Sequence, residues 1–241
     1  MRIALIGYGK MGKAIEKIAI EQGHEIVLRI GIENLDDFTI DNLRKADVAI
    51  EFTGPESAFE NIKKCLELGV SVVSGSTGWL HRYNEATALC KTHNCGFLYA
   101  SNFSLGVNLF FALNTYLAKL MANYPAYEPS ITEIHHTAKL DAPSGTAITL
   151  AEQIIAAIPN KNTWVNDPSA QGDALPIESK RIDPAPGTHT IQYKSAVDTI
   201  SIEHEAHSRQ GFALGAIVAA AFLSGKKGIY SMKDVLSLNE I

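Results

Sequence analysis

Ile3-Ala4-Leu5-Ile6-Gly7-Tyr8-Gly9-Lys10-Met11-Gly12 is the stretch that decides the fold. Four apolar residues in an unbroken run suit a parallel strand covered on both faces. The glycines follow at once as G-x-G-x-x-G, and Met11, Ala14, Ile15, Ile18 and Ala19 then recur at helical spacing until Gly23 supplies a stop. Ile26-Val27-Leu28-Arg29-Ile30 is the next strand. In that order the glycines have separate duties. Gly7 permits the tight turn, Gly9 lets the backbone approach a pyrophosphate, and Gly12 lets the helix pack closely on the strand. Gly7, Tyr8, Gly9, Lys10, Met11 and Gly12 therefore predict a dinucleotide site. Glu33, reached through Gly31-Ile32, is the candidate for the adenosine ribose, whereas Arg29 and Lys10 suit a 2′-phosphate. NADH and NADPH both stay open.

Outward from this unit the α/β alternation continues past a polar, helix-like stretch around Asp36 to Lys45. Val48-Ala49-Ile50-Glu51-Phe52 is a strand ending in Thr53-Gly54, and Pro55 suits the first turn of a helix carrying Ala58, Phe59, Ile62 and Leu66. Val70 to Val73 is a strand ending in Ser74-Gly75-Ser76-Thr77-Gly78. After a helix with Tyr83, Ala86, Leu89 and Cys90, the strand Phe97-Leu98-Tyr99-Ala100 ends in Ser101-Asn102-Phe103-Ser104. Ligands in such folds sit at the carboxyl ends of the strands. Phe52, Thr53, Gly75, Ser76, Thr77, Ala100, Ser101, Asn102 and Phe103 are accordingly the predicted lining for a nicotinamide and its ribose.

From Gly106 the grammar changes. Val107 to Met121 has the pattern of a long apolar helix, and Ile131-Thr132-Glu133-Ile134-His135 alternates like a strand with one wet face. It delivers Glu133-Ile134-His135-His136-Thr137-Ala138-Lys139-Leu140-Asp141-Ala142-Pro143-Ser144-Gly145-Thr146-Ala147. Imidazoles and an amine move protons near neutral pH, and a helix starting at Ser144-Gly145-Thr146 aims free N–H groups at an anion. His135 and His136 point to opposite faces and so have different jobs. Residues 160–172 are polar and turn-rich, a predicted surface loop. Strand-like runs at 178–182, 188–193 and 198–205 predict successive antiparallel strands forming an open sheet, a surface often covered by another subunit. Arg209 suits a carboxylate clamp. His24, His81, His93, His189, His204 and His207 are assigned structural roles. The apolar helix from Phe212 fits best against the first domain, which makes the second an insertion.

The predicted fold class is α/β: a Rossmann-type, doubly wound parallel sheet with an inserted α+β domain for substrate and oligomerisation. The boundaries are 1–104 plus 210–241 for the dinucleotide domain and 105–209 for the other. Within 241 residues, 46% hydrophobic and 20% charged content is ordinary for a globular chain with a real core. A net charge of −5 argues against nucleic acid and anionic membrane as partners and leaves an acidic small molecule open. Cys65, Cys90 and Cys95 have no metal-type spacing; reduced, buried thiols in the cytoplasm, and no metal site, are expected. Met1-Arg2-Ile3 leads straight into a strand, so no signal peptide is expected, and the apolar run Phe212 to Leu223 is too short to span a bilayer.

The run Glu133-Ile134-His135-His136-x-x-Lys139-x-Asp141-Ala142-Pro143-Ser144-Gly145-Thr146-Ala147 resembles the signature of the 4-hydroxy-tetrahydrodipicolinate reductase (dihydrodipicolinate reductase) family. The resemblance extends over Gly7 to Gly12, Phe52-Thr53-x-Pro55-Glu56, Gly75 to Gly78, Ala100-Ser101-Asn102-Phe103-Ser104-x-Gly106-Val107-Asn108 and Ser208-Arg209. It implies hydride transfer from NADH or NADPH to a small cyclic imine dicarboxylate, in lysine and diaminopimelate biosynthesis, by a cytoplasmic homotetramer. It further implies His135 as general acid, Lys139 as proton donor or charge stabiliser, and His136, Ser144, Gly145, Thr146 and Arg209 as substrate ligands. The chain departs from the pattern in being short between Ile30 and Val48 and in carrying Gly54 where some relatives have arginine. Two other readings compete: a different two-domain amino-acid dehydrogenase, and a dinucleotide-binding redox sensor without turnover. The first lacks a nucleophilic cysteine of the phosphorylating type, and the intact His135, His136 and Lys139 argue against the second.

Overall fold

Strand β1 (Arg2–Ile6) has its apolar residues on both phases, and each phase meets a helical layer. Ile3 and Leu5 pack with Ile15, Ala19, Ala216 and Ala220, while Ala4 and Ile6 pack with Phe59, Ile62, Leu66 and Trp79. Burial on both faces is what makes a parallel sheet of such strands stable. The computed structural model describes residues 1–208 and 210–238. They divide into two compact units, residues 1–105 with 210–238 and residues 106–208.

In the first unit β1 is followed by α1 (Lys10–Glu21), β2 (Glu25–Ile30), α2 (Ile40–Leu43), β3 (Val48–Glu51), α3 (Ala58–Glu67), β4 (Ser71–Ser74), α4 (Tyr83–Thr92) and β5 (Gly96–Tyr99). The second unit holds α5 (Leu105–Met121), β6 (Glu128–His135), α6 (Gly145–Ala157), β7 (Thr163–Val165), β8 (Ala174–Arg181), β9 (Thr188–Lys194) and β10 (Thr199–Glu205). The chain then returns to the first unit with α7 (Gln210–Leu223), β11 (Gly228–Tyr230) and α8 (Met232–Val235).

All six strands of the first sheet are parallel, in the order β11-β5-β4-β3-β1-β2. The order reverses between β1 and β3, the switch point where such sheets open a crevice at their carboxyl ends. The second unit is a five-stranded mixed sheet, β10-β9-β6-β8-β7. The predicted Rossmann-type sheet with a second α/β layer inserted between β5 and α7 is thus what the chain builds.

Some local expectations are corrected. The stretch 36–45 is a single 3-10 turn, Leu35–Asp37, and one helical turn, α2, whose start is capped by the Thr39 hydroxyl. Residues 160–172 contain β7 as well as loop. The strands after α6 are not all antiparallel: β8 runs parallel to β6 and β7 parallel to β8, while β9 and β10 are antiparallel additions. A parallel neighbour needs a crossover of a dozen residues or more, and α6 supplies it. Along β6, Pro129, Ile131, Glu133 and His135 face inward while the residues between them are half-exposed or exposed. Among the described residues, no helix is long and apolar enough to cross a membrane.

Candidate active site

The first unit gathers the predicted dinucleotide residues at one edge of its sheet. Gly7 takes φ +100° and donates its N–H to Ile30 O at 2.8 Å, as Tyr8 does at 2.9 Å. A Cβ on Gly7 would lie 2.0 Å from Phe52 O, so only glycine allows β1 to turn this tightly beside β3. Beyond the turn Gly9 has open space where a side chain would be, and α1 starts with no side-chain cap. Its first N–H groups, on Lys10, Met11 and Gly12, are therefore available to an anion, as a dinucleotide pyrophosphate requires. The predicted strand ends lie at the same carboxyl side of the sheet: Phe52 and Thr53 after β3, Gly75, Ser76 and Thr77 after β4, and Ala100, Ser101 and Asn102 after β5. Phe103 is placed differently. It is buried in the core, its ring 5.6 Å from that of Phe52.

Two acidic residues organise this edge that sequence reasoning did not single out. Glu51 is fully buried at the end of β3. Its Oε1 accepts from Thr53 N (2.9 Å), Thr53 Oγ1 (2.5 Å) and Ser76 Oγ (2.7 Å), and its Oε2 from Ser74 Oγ (2.6 Å). The hydroxyls of Thr53 and Ser76 thus brace neighbouring strand ends. Glu16 accepts from the Tyr8 hydroxyl and from Arg29 Nε at 2.6 Å, so the arginine expected for a 2′-phosphate is paired within the protein. Burial opposes ionisation of Glu16, but these two partners outweigh it and lower its pKa. Glu33 is exposed. Next to it, Asn34 Oδ1 accepts from Gly31 N at 2.8 Å and its amide donates to Arg29 O, closing the turn after β2.

The second unit brings the predicted proton donors to the head of α6. Ser144 is the N-cap, its Oγ accepting from Ala147 N at 3.2 Å. Its own N–H donates to both oxygens of Glu133, at 3.1 Å each. Ser144 is therefore buried and turned inward, with its N–H and hydroxyl both engaged by the protein. The N–H groups of Gly145 and Thr146 have no acceptor among the described residues, and the space beside Gly145 is open. Lys139 reaches Asp141, 2.9 Å from each carboxylate oxygen, and this contact lowers the Asp141 pKa. His136 lies near Asp183, whose pKa is lowered by hydrogen bonds from Thr137 and then by the imidazole. Arg209 lies outside the described residues.

His135 is buried, and it does not stand alone. Its Nε2 is 3.4 Å from Glu133 Oε2 and 3.4 Å from His189 Nε2. His189, assigned a structural role from the sequence, belongs to this cluster: its Nε2 is also 3.2 Å from Ser144 Oγ. Arg181 at the end of β8 completes it. The guanidinium donates to Glu133 Oε1 (3.3 Å), Lys139 O (3.3 Å) and Asp141 O (2.6 Å), fastening the loop that carries Lys139. Burial alone would raise the Glu133 pKa. The donated Ser144 N–H and the nearby His135, His189 and Ser179 side chains together outweigh burial and hold it far below the usual carboxylate range. Burial lowers the His189 pKa, against the pull of Glu133.

Strand register explains why these partners escaped notice. Antiparallel pairing sets Glu133 opposite His189, and parallel pairing sets His135 beside Arg181. Neither pairing is visible in one segment. The available signal was Glu133 and His135 sharing the inward phase with Ile131, polar groups where an apolar residue belongs.

A glycine turn and open helix start on a parallel sheet, with a second unit holding an acid–base cluster at another helix start, define a two-unit dinucleotide-dependent oxidoreductase. Two family models match the chain: dihydrodipicolinate reductase, N-terminus, over residues 1–103, and dihydrodipicolinate reductase, C-terminus, over residues 106–236. A 4-hydroxy-tetrahydrodipicolinate reductase of Christiangramia forsetii is 52% identical over 98% of this chain and 98% of its own. One from Neisseria meningitidis serogroup B is 36% identical over 93% of this chain and 84% of its own. The solved structure of a dipicolinate-bound dihydrodipicolinate reductase from Paenisporosarcina sp. TG-14 superposes with a TM-score of 0.78 at 26% identity, covering 96% of this chain and 97% of that one. The chain belongs to the dihydrodipicolinate reductase family, whose members are NAD(P)H-dependent oxidoreductases of lysine and diaminopimelate biosynthesis.

Proposed function

We propose that this chain catalyses the 4-hydroxy-tetrahydrodipicolinate reductase reaction, reducing a cyclic unsaturated imine dicarboxylate to tetrahydrodipicolinate. The observation that carries the reading is the tie from Ser144 N–H to Glu133, which sets the open amides of Gly145 and Thr146 at the strand end bearing His135. A ring carboxylate accepts from those two amides, where the α6 dipole and the N–H groups act together. Lys139 and His136 supply positive partners to the same diacid, and Arg209 is proposed as a further clamp.

NADH or NADPH supplies a hydride when bound to the first unit. Hydride addition to the conjugated imine leaves electron density on the ring that must take up a proton. His135 delivers that proton. Lys139 stabilises the charge that builds on the ring, and Arg181 holds its loop in place. The residues proposed for the dinucleotide are Gly7 to Gly12, Phe52, Thr53, Gly75, Ser76, Thr77 and Ala100 to Asn102, with Glu33 at the ribose. Both dinucleotides are proposed as substrates, since Glu33 is exposed and Arg29 is shared with Glu16. A cytoplasmic homotetramer assembled through the second unit's sheet is proposed as the working form. The buried, unpaired Cys65, Cys90 and Cys95 favour a reducing compartment.

The test follows dinucleotide oxidation by absorbance with freshly made substrate, running NADH and NADPH side by side. His135→Ala is expected to keep dinucleotide affinity while turnover falls by about 10²–10⁴-fold. Lys139→Ala is expected to lose most activity. An unchanged rate in His135→Ala removes that residue from the chemistry, and a normal rate with weakened cofactor binding in Lys139→Ala reassigns the lysine.

A further inference from the structure

The Nε2 edge of His135 is enclosed by Glu133, so far given only the task of anchoring the Ser144 amide, and by His189, which the reaction above leaves without a role. Glu133 is fully buried and its oxygens are already ordered by fixed donors: the Ser144 amide at 3.1 Å to both, and Arg181 Nη2 at 3.3 Å from Oε1. Oε2 is left facing the two imidazoles, 3.4 Å from His135 Nε2 and 3.7 Å from His189 Nε2. An ionised carboxylate only accepts hydrogen bonds, so the His135 nitrogen within reach of Oε2 carries hydrogen, and it turns that hydrogen to the carboxylate rather than to His189 Nε2, 3.4 Å away.

For His189 the alternative is poor. Its Nδ1 is buried with no partner, and a proton there would be a stranded donor. Its proton belongs on Nε2, which faces Ser144 Oγ and Glu133. For His135, a hydrogen on Nε2 leaves Nδ1 as the nitrogen that gains and loses the second proton. Glycine is required beside that edge of the ring. Gly187, at φ +155°, lies against it, and a Cβ there would sit 3.2 Å from Nδ1 and 2.9 Å from Cε1.

We infer that Glu133 holds the Nε2–H of His135, that Nδ1 is therefore the nitrogen that delivers the proton, and that His189 keeps the Glu133 carboxylate aimed at it. Glu133 and His189 are positioning residues: they act through His135. The arrangement is the mirror image of an Asp–His pair in which the carboxylate holds Nδ1 and Nε2 reacts. The step balances. Protonated His135 gives its Nδ1 proton to the ring that has accepted the hydride, is left neutral with hydrogen on Nε2, and regains its proton from solvent. The charged and titratable groups around the pair are Glu133 on β6, His189 on β9, Arg181 on β8, Lys139 and Asp141 in the loop before α6, and His204 on β10 opposite His189. The same Glu133, His135 and His189 atoms lie within 4.8 Å of one another, close enough for a metal ion. The Arg181 guanidinium already supplies the positive charge there, which favours a proton over a divalent cation.

This inference rests on His135 being the acid, and its test separates the two. Nitrogen NMR of the histidine side chains, in the resting protein with no substrate, reads the tautomer of neutral His135. The Nε2–H form is expected, with Glu133→Gln losing that bias and Glu133→Asp partly restoring it. In steady-state kinetics Glu133→Gln is expected to shift the alkaline limb of the kcat profile down by about one pH unit or more, with the KM for dinucleotide unchanged. His189→Gln is expected to give a smaller shift in the same direction. An Nδ1–H tautomer in the wild-type protein, an unshifted limb in Glu133→Gln, or stoichiometric binding of zinc that perturbs His135 and His189 together would each overturn it. A wild-type rate in His135→Ala defeats the reaction assignment instead, whatever the tautomer.

Discussion

Glu51 and Glu133 are the same residue type, each fully buried near the end of a strand, and they serve opposite purposes. Glu51 is surrounded by hydroxyls and one amide, from Thr53, Ser74 and Ser76. None of those partners titrates near neutral pH, so the carboxylate braces the ends of β3 and β4 without responding to protons. Glu133 is surrounded by two imidazoles, a guanidinium and one amide. The imidazoles among them are the side-chain type that moves protons near neutral pH, so the same group there sets where a proton sits. A buried carboxylate is thus neither structural nor catalytic by itself; its neighbours decide.

The largest expected effect tests this difference on stability. Glu133→Leu removes the shared acceptor of Arg181, His135 and His189 and is expected to cost about 3–5 kcal/mol in urea unfolding. Glu51→Leu leaves hydroxyls that can turn to other partners and is expected to cost about 1–3 kcal/mol. Equal losses would mean that the two clusters are alike. On turnover the contrast is nearly as large. Glu133→Gln is expected to lower kcat by about 10²-fold, the scale of losing a residue that orients a catalytic imidazole. Glu51→Gln is expected to leave kcat at saturating dinucleotide within a few-fold and to act on the dinucleotide KM. A kcat loss in Glu51→Gln as deep as that in Glu133→Gln would break the comparison.

Acidification sharpens it further. His189 has its pKa lowered by burial, so the unfolded chain binds its proton first and stability falls as pH drops below about 6.5. Glu133, also lowered, holds its contribution above about pH 4.3 and loses it as pH falls further towards the folded value. Stability measured by urea unfolding should therefore decline in two stages, and His189→Gln should flatten the first. A wild-type stability that is flat from pH 7 to the Glu133 stage would count against a neutral, buried His189. The smallest effect lies in the first unit. Glu16→Gln frees Arg29 from its partner and is expected to raise kcat/KM for NADPH relative to NADH by a few-fold; an unchanged ratio would place the 2′-phosphate away from Arg29.

What was legible in the sequence was contiguous. The β1 turn and the run from His135 to Thr146 each state their chemistry within about a dozen residues, because a turn or a helix start is a local object. The parallel sheet of the first unit followed from alternating strands and helices, but its strand order did not. The parallel placing of β8 beside β6 and the three-residue strands β7 and β11 did not, since such short runs show no periodicity. The cluster around His135 was hidden for the same reason at longer range. Glu133, Arg181 and His189 come from three strands, and only hydrogen-bond register brings them together.

The α6 start grips the dicarboxylate next to a proton held by the Glu133 cluster, and both act at one ligand concentration. Titrating dipicolinate into nitrogen-labelled protein and following the backbone amides tests this most directly. The amides of Gly145 and Thr146 are predicted to show the largest saturating shifts, with the His135 imidazole responding at the same ligand concentrations. Saturating shifts confined to other amides, with Gly145, Thr146 and His135 silent, would contradict it.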